Sequence, residues 1–301
     1  MAAQSNPLTI YLSLLGSSVS KKTVVSRLKK VATMHGFDEP STYPWHELDY
    51  PKTLEIIDDL KAQQLKYTTI NAILSAIKGV ANQAWLIGMM DGNEFAKIKA
   101  IKAIKGERLP TGQALSKPDI CALFACTELD SDKAKRDQVI LTLGFDLGLR
   151  REEISQLKIA NVRLKEQVVR VVGKGNKERE VPLNARSTTI LSDWIKHIHS
   201  LPVKGLFLLG RTNKKGELLD LNGIDNSSVW RVVKKVAMQS GVDFDNLPST
   251  HDMRRTRVTE WLEVGNPRIA QQLAGHSHIQ TTMGYDRAEL ADQMKDVQSK
   301  A

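Results

Sequence analysis

Cysteine is nearly absent: Cys121 and Cys126 are the only two in 301 residues. Two thiols at that spacing are too few for a disulfide framework or a zinc module. Their apolar, helical surroundings predict buried core thiols. Also missing is any apolar run approaching the roughly 18 residues that a membrane-spanning helix needs, so an integral helical membrane protein is excluded. The short apolar stretch from Leu8 to Leu15 has no basic region before it and no small-residue cleavage site. It therefore does not read as a signal peptide, and a cytoplasmic address is expected. Positive charge is what the chain has in excess. Its 43 Lys and Arg against 34 Asp and Glu give a net charge of +9, and a basic surface concentrates polyanions such as nucleic acid. The remaining composition, 41% hydrophobic and 26% charged, is ordinary for a globular protein, and the length suits two domains.

The first hundred residues carry two helical stripes. Val24, Val25, Leu28, Val31 and Ala32 fall at three-and-four spacing, and Lys21, Lys22, Arg27, Lys29 and Lys30 occupy much of the remaining surface. That basic face is either solvated surface or a DNA contact. Ile70, Ile73, Leu74, Ile77, Val80, Ala81 and Trp85 form the second stripe, with Thr68 or Thr69 as its expected cap. Helices near Pro7 to Leu15 and Glu94 to Ile104 complete a helical unit of four or five helices. From Lys105 to Pro118 the composition turns to Gly, Pro, Ser and charge without apolar periodicity, the signature of an exposed linker. The expected division is a helical domain over residues 1–105, a linker over 106–117 and a second domain over 118–301.

In the second part, Ser116 is placed to cap a helix running through Leu129, and a long apolar helix from about Lys133 ends at Gly148. Gln167 to Val172 and Glu178 to Leu183 are β-rich runs flanking Gly173-Lys174-Gly175-Asn176, which reads as a hairpin. Further helices follow over Arg186 to Ser200, Ser227 to Gln239, Thr250 to Val264 and Pro267 to Ala274. The expected class is mainly α with a small antiparallel β-sheet.

Several residues here could carry chemistry, and each also has a plain structural reading. His251 and Arg254 are three apart, so an imidazole and a forked guanidinium can reach one oxyanion from the same helical face. Arg255 and Arg257 broaden that charge and could mark a DNA-contacting helix. Arg150 precedes Glu153 by three residues, which places a carboxylate within reach to orient the arginine, or makes the two a structural ion pair. Lys174 stands between glycines at the hairpin tip, able to project into a groove or simply to be solvated. His276 follows Gly275, and Tyr285 lies nine residues beyond it, where packing is the ordinary role.

Taken in order, GLRREEI at 148–154, VVGKGNKEREVPL at 171–183, HDMRRT at 251–256 and LAGHSHIQTTMGY at 273–285 resemble the tyrosine recombinase, or phage integrase, family. The resemblance covers about residues 111–288 and extends more loosely to the N-terminal helices, which resemble that family's SAM-like core-binding domain. It implies a core-binding domain joined to a mixed α/β catalytic domain. By the same resemblance Arg150 and Arg254 are phosphate clamps, Glu153 a supporting acid, Lys174 the general acid, His251 and His276 histidines of the site, and Tyr285 the nucleophile. Lys177 in the same hairpin, with Arg255, Arg257 and the basic face at Lys21 to Lys30, would contact DNA. Attack by the phenol would leave a 3′-phosphotyrosyl enzyme that conserves the phosphodiester energy, so no metal and no other cofactor is implied. The implied partners are duplex DNA sites gripped from opposite sides by the two domains, other copies of the chain in a tetramer, and room for accessory DNA-bending proteins. A nucleoid-associated location and an origin in a mobile genetic element go with that reading.

Two departures stand out. Arg255 occupies a place where a second histidine is frequent, and Asp286-Arg287 follows the tyrosine where Thr or Ser and His are common. Ala288 to Ala301 resembles a terminal helix that packs on a neighbouring subunit. Three rivals remain to be weighed: a non-catalytic DNA-binding regulator, a type IB topoisomerase using the same nucleophile chemistry, and a metallohydrolase using His251, His276 and His278. The last lacks carboxylate ligands at suitable spacing, and the first gives no reason for the ordered set.

Overall fold

The computed structural model describes residues 6–106, 112, 114–173, 177–244, 246–285 and 298. Lys174, the hairpin tip, half of the expected linker (107–111 and 113) and the expected terminal helix, save for residue 298, lie outside the described residues. Contacts divide the chain into two units, Met1–Arg108 and Leu109–Ala301. No helix among the described residues is long and apolar enough to cross a membrane.

The first unit is helical: α1 (Pro7–Ser13), α2 (Ser18–Met34), α3 (Tyr50–Ala62), α4 (Tyr67–Leu86) and α5 (Gly92–Ala100). The side chains of Asn6, Ser17, Asp49 and Asp91 accept from the first free N–H groups of α1, α2, α3 and α5, which is why each starts where it does. Leu28 of α2, Ile56 and Leu60 of α3, Ile70, Ile73 and Ile77 of α4 and Ile98 of α5 share one buried core. Burial of each such aliphatic side chain contributes roughly 1.5–3 kcal/mol. Asn71 both donates to and accepts from the backbone of Ile104, at 2.9 and 2.8 Å, and so fastens the end of the unit to α4.

Some expectations for this unit need correction. Lys66, with no side-chain cap, precedes α4, so Thr68 and Thr69 lie within its first turn. The stripe breaks at Trp85, which is 42% exposed and stacks on Phe95 at 5.1 Å. The helix α5 ends at Ala100, four residues before the expected boundary. Val25 is only half-buried.

The second unit contains α6 (Lys117–Ala125), α7 (Asp132–Phe145), α8 (Arg151–Ser155), β1 (Val162–Arg163), β2 (Val168–Val172), β3 (Glu178–Pro182), α9 (Ala185–Ser200), α10 (Asn226–Gln239), α11 (Thr250–Val264) and α12 (Pro267–Ala274). Ser116 and Asp119 form a reciprocal cap on α6, but the helix stops at Ala125 rather than Leu129. Cys121 is exposed and Cys126 half-buried, so neither is a buried core thiol. Ile120, Leu123 and Phe124 supply the inward face of α6, and Cys121 falls on the opposite side. The strands form an antiparallel sheet in the order β1-β2-β3, with Val169 opposite Val181 and Val171 opposite Arg179. At the centre lies α7, whose residues Val139 to Phe145 are buried throughout.

Candidate active site

The chain's local grammar brings four segments to one place. Directly beyond α7, Gly148 turns the chain at φ 61°, a left-handed conformation that suits glycine, and leads into Arg150 at the start of α8. The helices α7 and α11 approach so closely at Gly144 that a Cβ there would stand 2.5 Å from Met253. That contact sets Arg254, the next residue of α11, beside Gly148. In α12, Asn266 caps the first turn, Pro267 occupies its first position and Gly275 ends it at φ 63°. The reversal returns the His276 N–H to the Gln271 carbonyl at 3.1 Å, which fixes His276 immediately after the helix.

Glu153 is the centre of the ionic frame. It is 8% exposed and accepts from the Arg150 backbone N–H and Nη1, both at 2.8 Å. Its two oxygens also take both terminal nitrogens of Arg179, at 2.9 and 2.8 Å. Burial alone would push this carboxyl up, but the Arg179 guanidinium and the Arg150 contacts outweigh it and hold the carboxyl at about 2. Arg179 was not singled out from the sequence. It lies on the same face of β3 as buried Val181, and an arginine on the inward face of a strand is a signal that alternation could have supplied.

Three successive carbonyls at the end of α12 each receive a different arginine. Leu273 accepts from Arg179 Nε at 2.8 Å, Ala274 from Arg254 Nη2 at 2.5 Å, and Gly275 from Arg150 Nη2 at 2.7 Å. A helix C-terminus has unpaired carbonyls and a negative end of its dipole, so guanidiniums suit it on both counts. Arg254, 2% exposed, also donates to the Gly148 carbonyl at 2.6 Å and to His276 Nε2 at 2.9 Å. Burial and the neighbouring Arg150 charge pull its guanidinium down to about 10, leaving it charged at neutral pH.

Because Arg254 can only donate, His276 Nε2 must accept. The imidazole proton therefore sits on Nδ1, facing Thr282 Oγ1 at 3.0 Å. Burial, then Arg254, Arg150 and Arg179, lower His276 to about 4, so this ring is neutral at pH 7. Residues 279–285 are helical and bring Tyr285 to lie parallel to His276, with ring centres 5.7 Å apart and planes at 6°. His251, in the first turn of α11, is likewise lowered, by partial burial and then by Arg254 and Arg151.

The structure thus gathers Arg150, Glu153, Arg254, His276 and Tyr285, with Arg255 over the Tyr285 ring at 5.2 Å. Arg257 is held elsewhere, ion-paired with Glu260 at 2.7 Å and lying over Trp261. Lys177 is exposed at the base of the hairpin, where its carbonyl accepts from Gly173 at 2.7 Å. In the first unit, Lys21, Lys22, Lys29 and Lys30 line a shallow groove of about 900 Å³. Arg27 is not among its lining residues, and Lys29 is paired with Glu39 at 2.7 Å. No cluster of three metal-ligating side chains occurs among the described residues.

A profile of the phage integrase family matches residues 113–291, the stretch that holds every residue of this site. The chain belongs to the phage integrase family of tyrosine recombinases. Among curated relatives it is 30% identical over 223 residues to tyrosine recombinase XerD of Yersinia pestis, a match covering 73% of this chain and 71% of the relative. It is 29% identical over 242 residues to tyrosine recombinase XerC of Chlamydia trachomatis, covering 79% and 72%. The tyrosine recombinase fold is shared with a lambda integrase dimer on a core site, at TM-score 0.66 and 15% identity with 92% of each chain covered. It is also shared with the Tn1549 transposon integrase on transposon-end DNA, at TM-score 0.65 and 17% identity with 97% and 99% covered.

Proposed function

We propose that this tyrosine recombinase cleaves and rejoins duplex DNA at specific sites, with Tyr285 as nucleophile and Arg150 and Arg254 as the clamp on the scissile phosphate. The observation that carries this reading is the charge of the frame. Arg150 and Arg179 share one carboxylate, Glu153, a third guanidinium, Arg254, is bonded to His276, and His276 is neutral. Three positive charges less one negative leave this frame at +2, with the Arg255 guanidinium over the Tyr285 ring as a further positive charge. A phosphodiester brings one negative charge and its five-coordinate transition state two, so the frame matches the charge that develops during attack.

In the reaction Tyr285 Oη attacks phosphorus, its proton passing to a neutral acceptor for which His251 is suited. The bond to the 5′ oxygen breaks, and Lys174 protonates that leaving group. Reversal with a different 5′ hydroxyl reseals the strand and releases the tyrosine. Arg179 holds Glu153 and the end of α12 in place. Basic residues of the helical unit, Lys21, Lys22, Arg27, Lys29 and Lys30, and Lys177 beside the active site supply further phosphate contacts, and residues 1–105 form the DNA-binding domain to which the first group belongs.

Strand exchange needs two sites and several protomers, and we carry the reading to a homo-tetramer. A lambda integrase with this fold has been seen as a tetramer on a Holliday junction. Use by a mobile element is supported by the likeness to the Tn1549 transposon integrase. The test is trapping on a nicked suicide duplex. The wild-type chain should form a covalent adduct and Tyr285→Phe none, with DNA affinity nearly unchanged. A persistent adduct in the Phe variant would remove Tyr285 from the role.

A further inference from the structure

Arg255 follows the clamp residue Arg254 on α11, and a DNA contact is its simplest reading. Its surroundings argue for something else. The side chain is half-buried, and its guanidinium carbon lies 5.2 Å from the Tyr285 ring centre. On another side, a Cβ added at Gly112 would touch Arg255 Nε at 3.5 Å and collide with the Asp252 carboxylate at 2.3 Å, so Gly112 lies close against this arginine.

A second group also meets the same ring. His276 lies parallel to the Tyr285 ring, and its Nε2 is held by Arg254. Two adjacent residues of one helix therefore touch the same pair of rings: Arg254 grips the imidazole, the imidazole lies along the phenol, and Arg255 sits over the phenol. Tyr285 comes from a separate segment, and an aromatic ring held by a flat partner and a cation loses its freedom to tilt.

We propose that Arg255 is a positioning residue for the nucleophile, holding the Tyr285 ring in line with the phosphate rather than binding DNA. This rests on the reading of Tyr285 as nucleophile. A small misplacement of an attacking atom is costly because the reaction needs a near-attack geometry, whereas a lost phosphate contact costs affinity instead.

The experiment measures single-turnover adduct formation on the nicked duplex at saturating DNA, and the Kd for the same duplex, using the full chain. Arg255→Met should cleave about tenfold more slowly with Kd within about twofold of wild type. Arg255→Lys, which returns a cation over the ring, should recover most of the rate. Thermal unfolding of each variant reports folding, and Arg255→Gln replaces the Met variant if that one is unfolded. A wild-type cleavage rate in the charge-removed variant overturns the proposal, and so does a lysine variant as slow as the methionine one. Tyr285→Phe run alongside separates the two readings: an adduct there overturns the nucleophile itself, while its absence together with fast cleavage by Arg255→Met overturns only the role of Arg255.

Discussion

Replacing Glu153 with glutamine keeps the shape of the side chain and removes the carboxylate that Arg150 and Arg179 share. Two routes give the size of the loss. The carboxyl titrates at about 2 in the folded chain against its ordinary 4.5, and each tenfold difference in acidity is worth about 1.4 kcal/mol, so the charge contributes about 3 kcal/mol of stability at pH 7. Breaking a buried ion pair by removing one partner costs roughly 3–5 kcal/mol, because the other charges are stranded. The two agree on about 3 kcal/mol. The sign with pH follows from the depressed value: the stabilisation is complete above the ordinary 4.5 and is lost as pH falls through about 2. Between pH 7 and pH 4 the wild-type chain should therefore lose about 0.8 kcal/mol through this group, a loss the glutamine variant does not share. Urea unfolding of both proteins at the two pH values measures this. The gap should be near 3 kcal/mol at pH 7 and narrower by about 0.8 kcal/mol at pH 4. A gap below about 1 kcal/mol at pH 7, or one that does not narrow, would refute the idea that Glu153 is the neutralising centre.

Lys174→Ala should be slow on ordinary DNA yet close to wild type when the leaving 5′ oxygen is replaced by sulfur, because a thiolate leaves without a proton. Arg150→Ala and Arg254→Ala should stay slow on both substrates, by about a hundredfold or ~3 kcal/mol each, since they act on the non-bridging oxygens. Rescue of an arginine variant but not the lysine variant would reverse these roles and make Lys177 the next candidate for the acid. DNA binding by the whole chain should weaken steeply with salt, with a log-log slope near −5 for about six phosphate contacts. A fragment of residues 1–105 should show a shallower slope, and binding no better than that of a neutral control protein would remove the groove at Lys21 to Lys30 from the interface.

The sequence made a helix start legible where an apolar stripe met a capping residue, as in α6 behind Ser116. It was less informative where the signal is shorter than a period. Strand β1 is only two residues long, and α4 begins without a side-chain cap, so neither boundary had a local mark. Glu153, three residues after Arg150, was visible as a possible partner, since that spacing alone places the two side chains together. Arg179 was not, because its bonds to Glu153 and Leu273 span 26 and 94 residues. Arg255 was named from the sequence as a DNA contact, but its relation to Tyr285, thirty residues on, exists only once α11 and the segment at 279–285 have folded together.

The three arginines are anchored on main-chain oxygens of α12, and a main-chain oxygen survives any side-chain replacement. The outward residues Arg268, Ile269 and Gln272 are exposed and can change with little effect on the anchors, provided the helix and its glycine stop are kept. The outer surface of this short helix can thus be rewritten while the arginines behind it stay in register. Tolerance to substitution and retention of the frame thus belong to two sides of one short helix and its glycine stop.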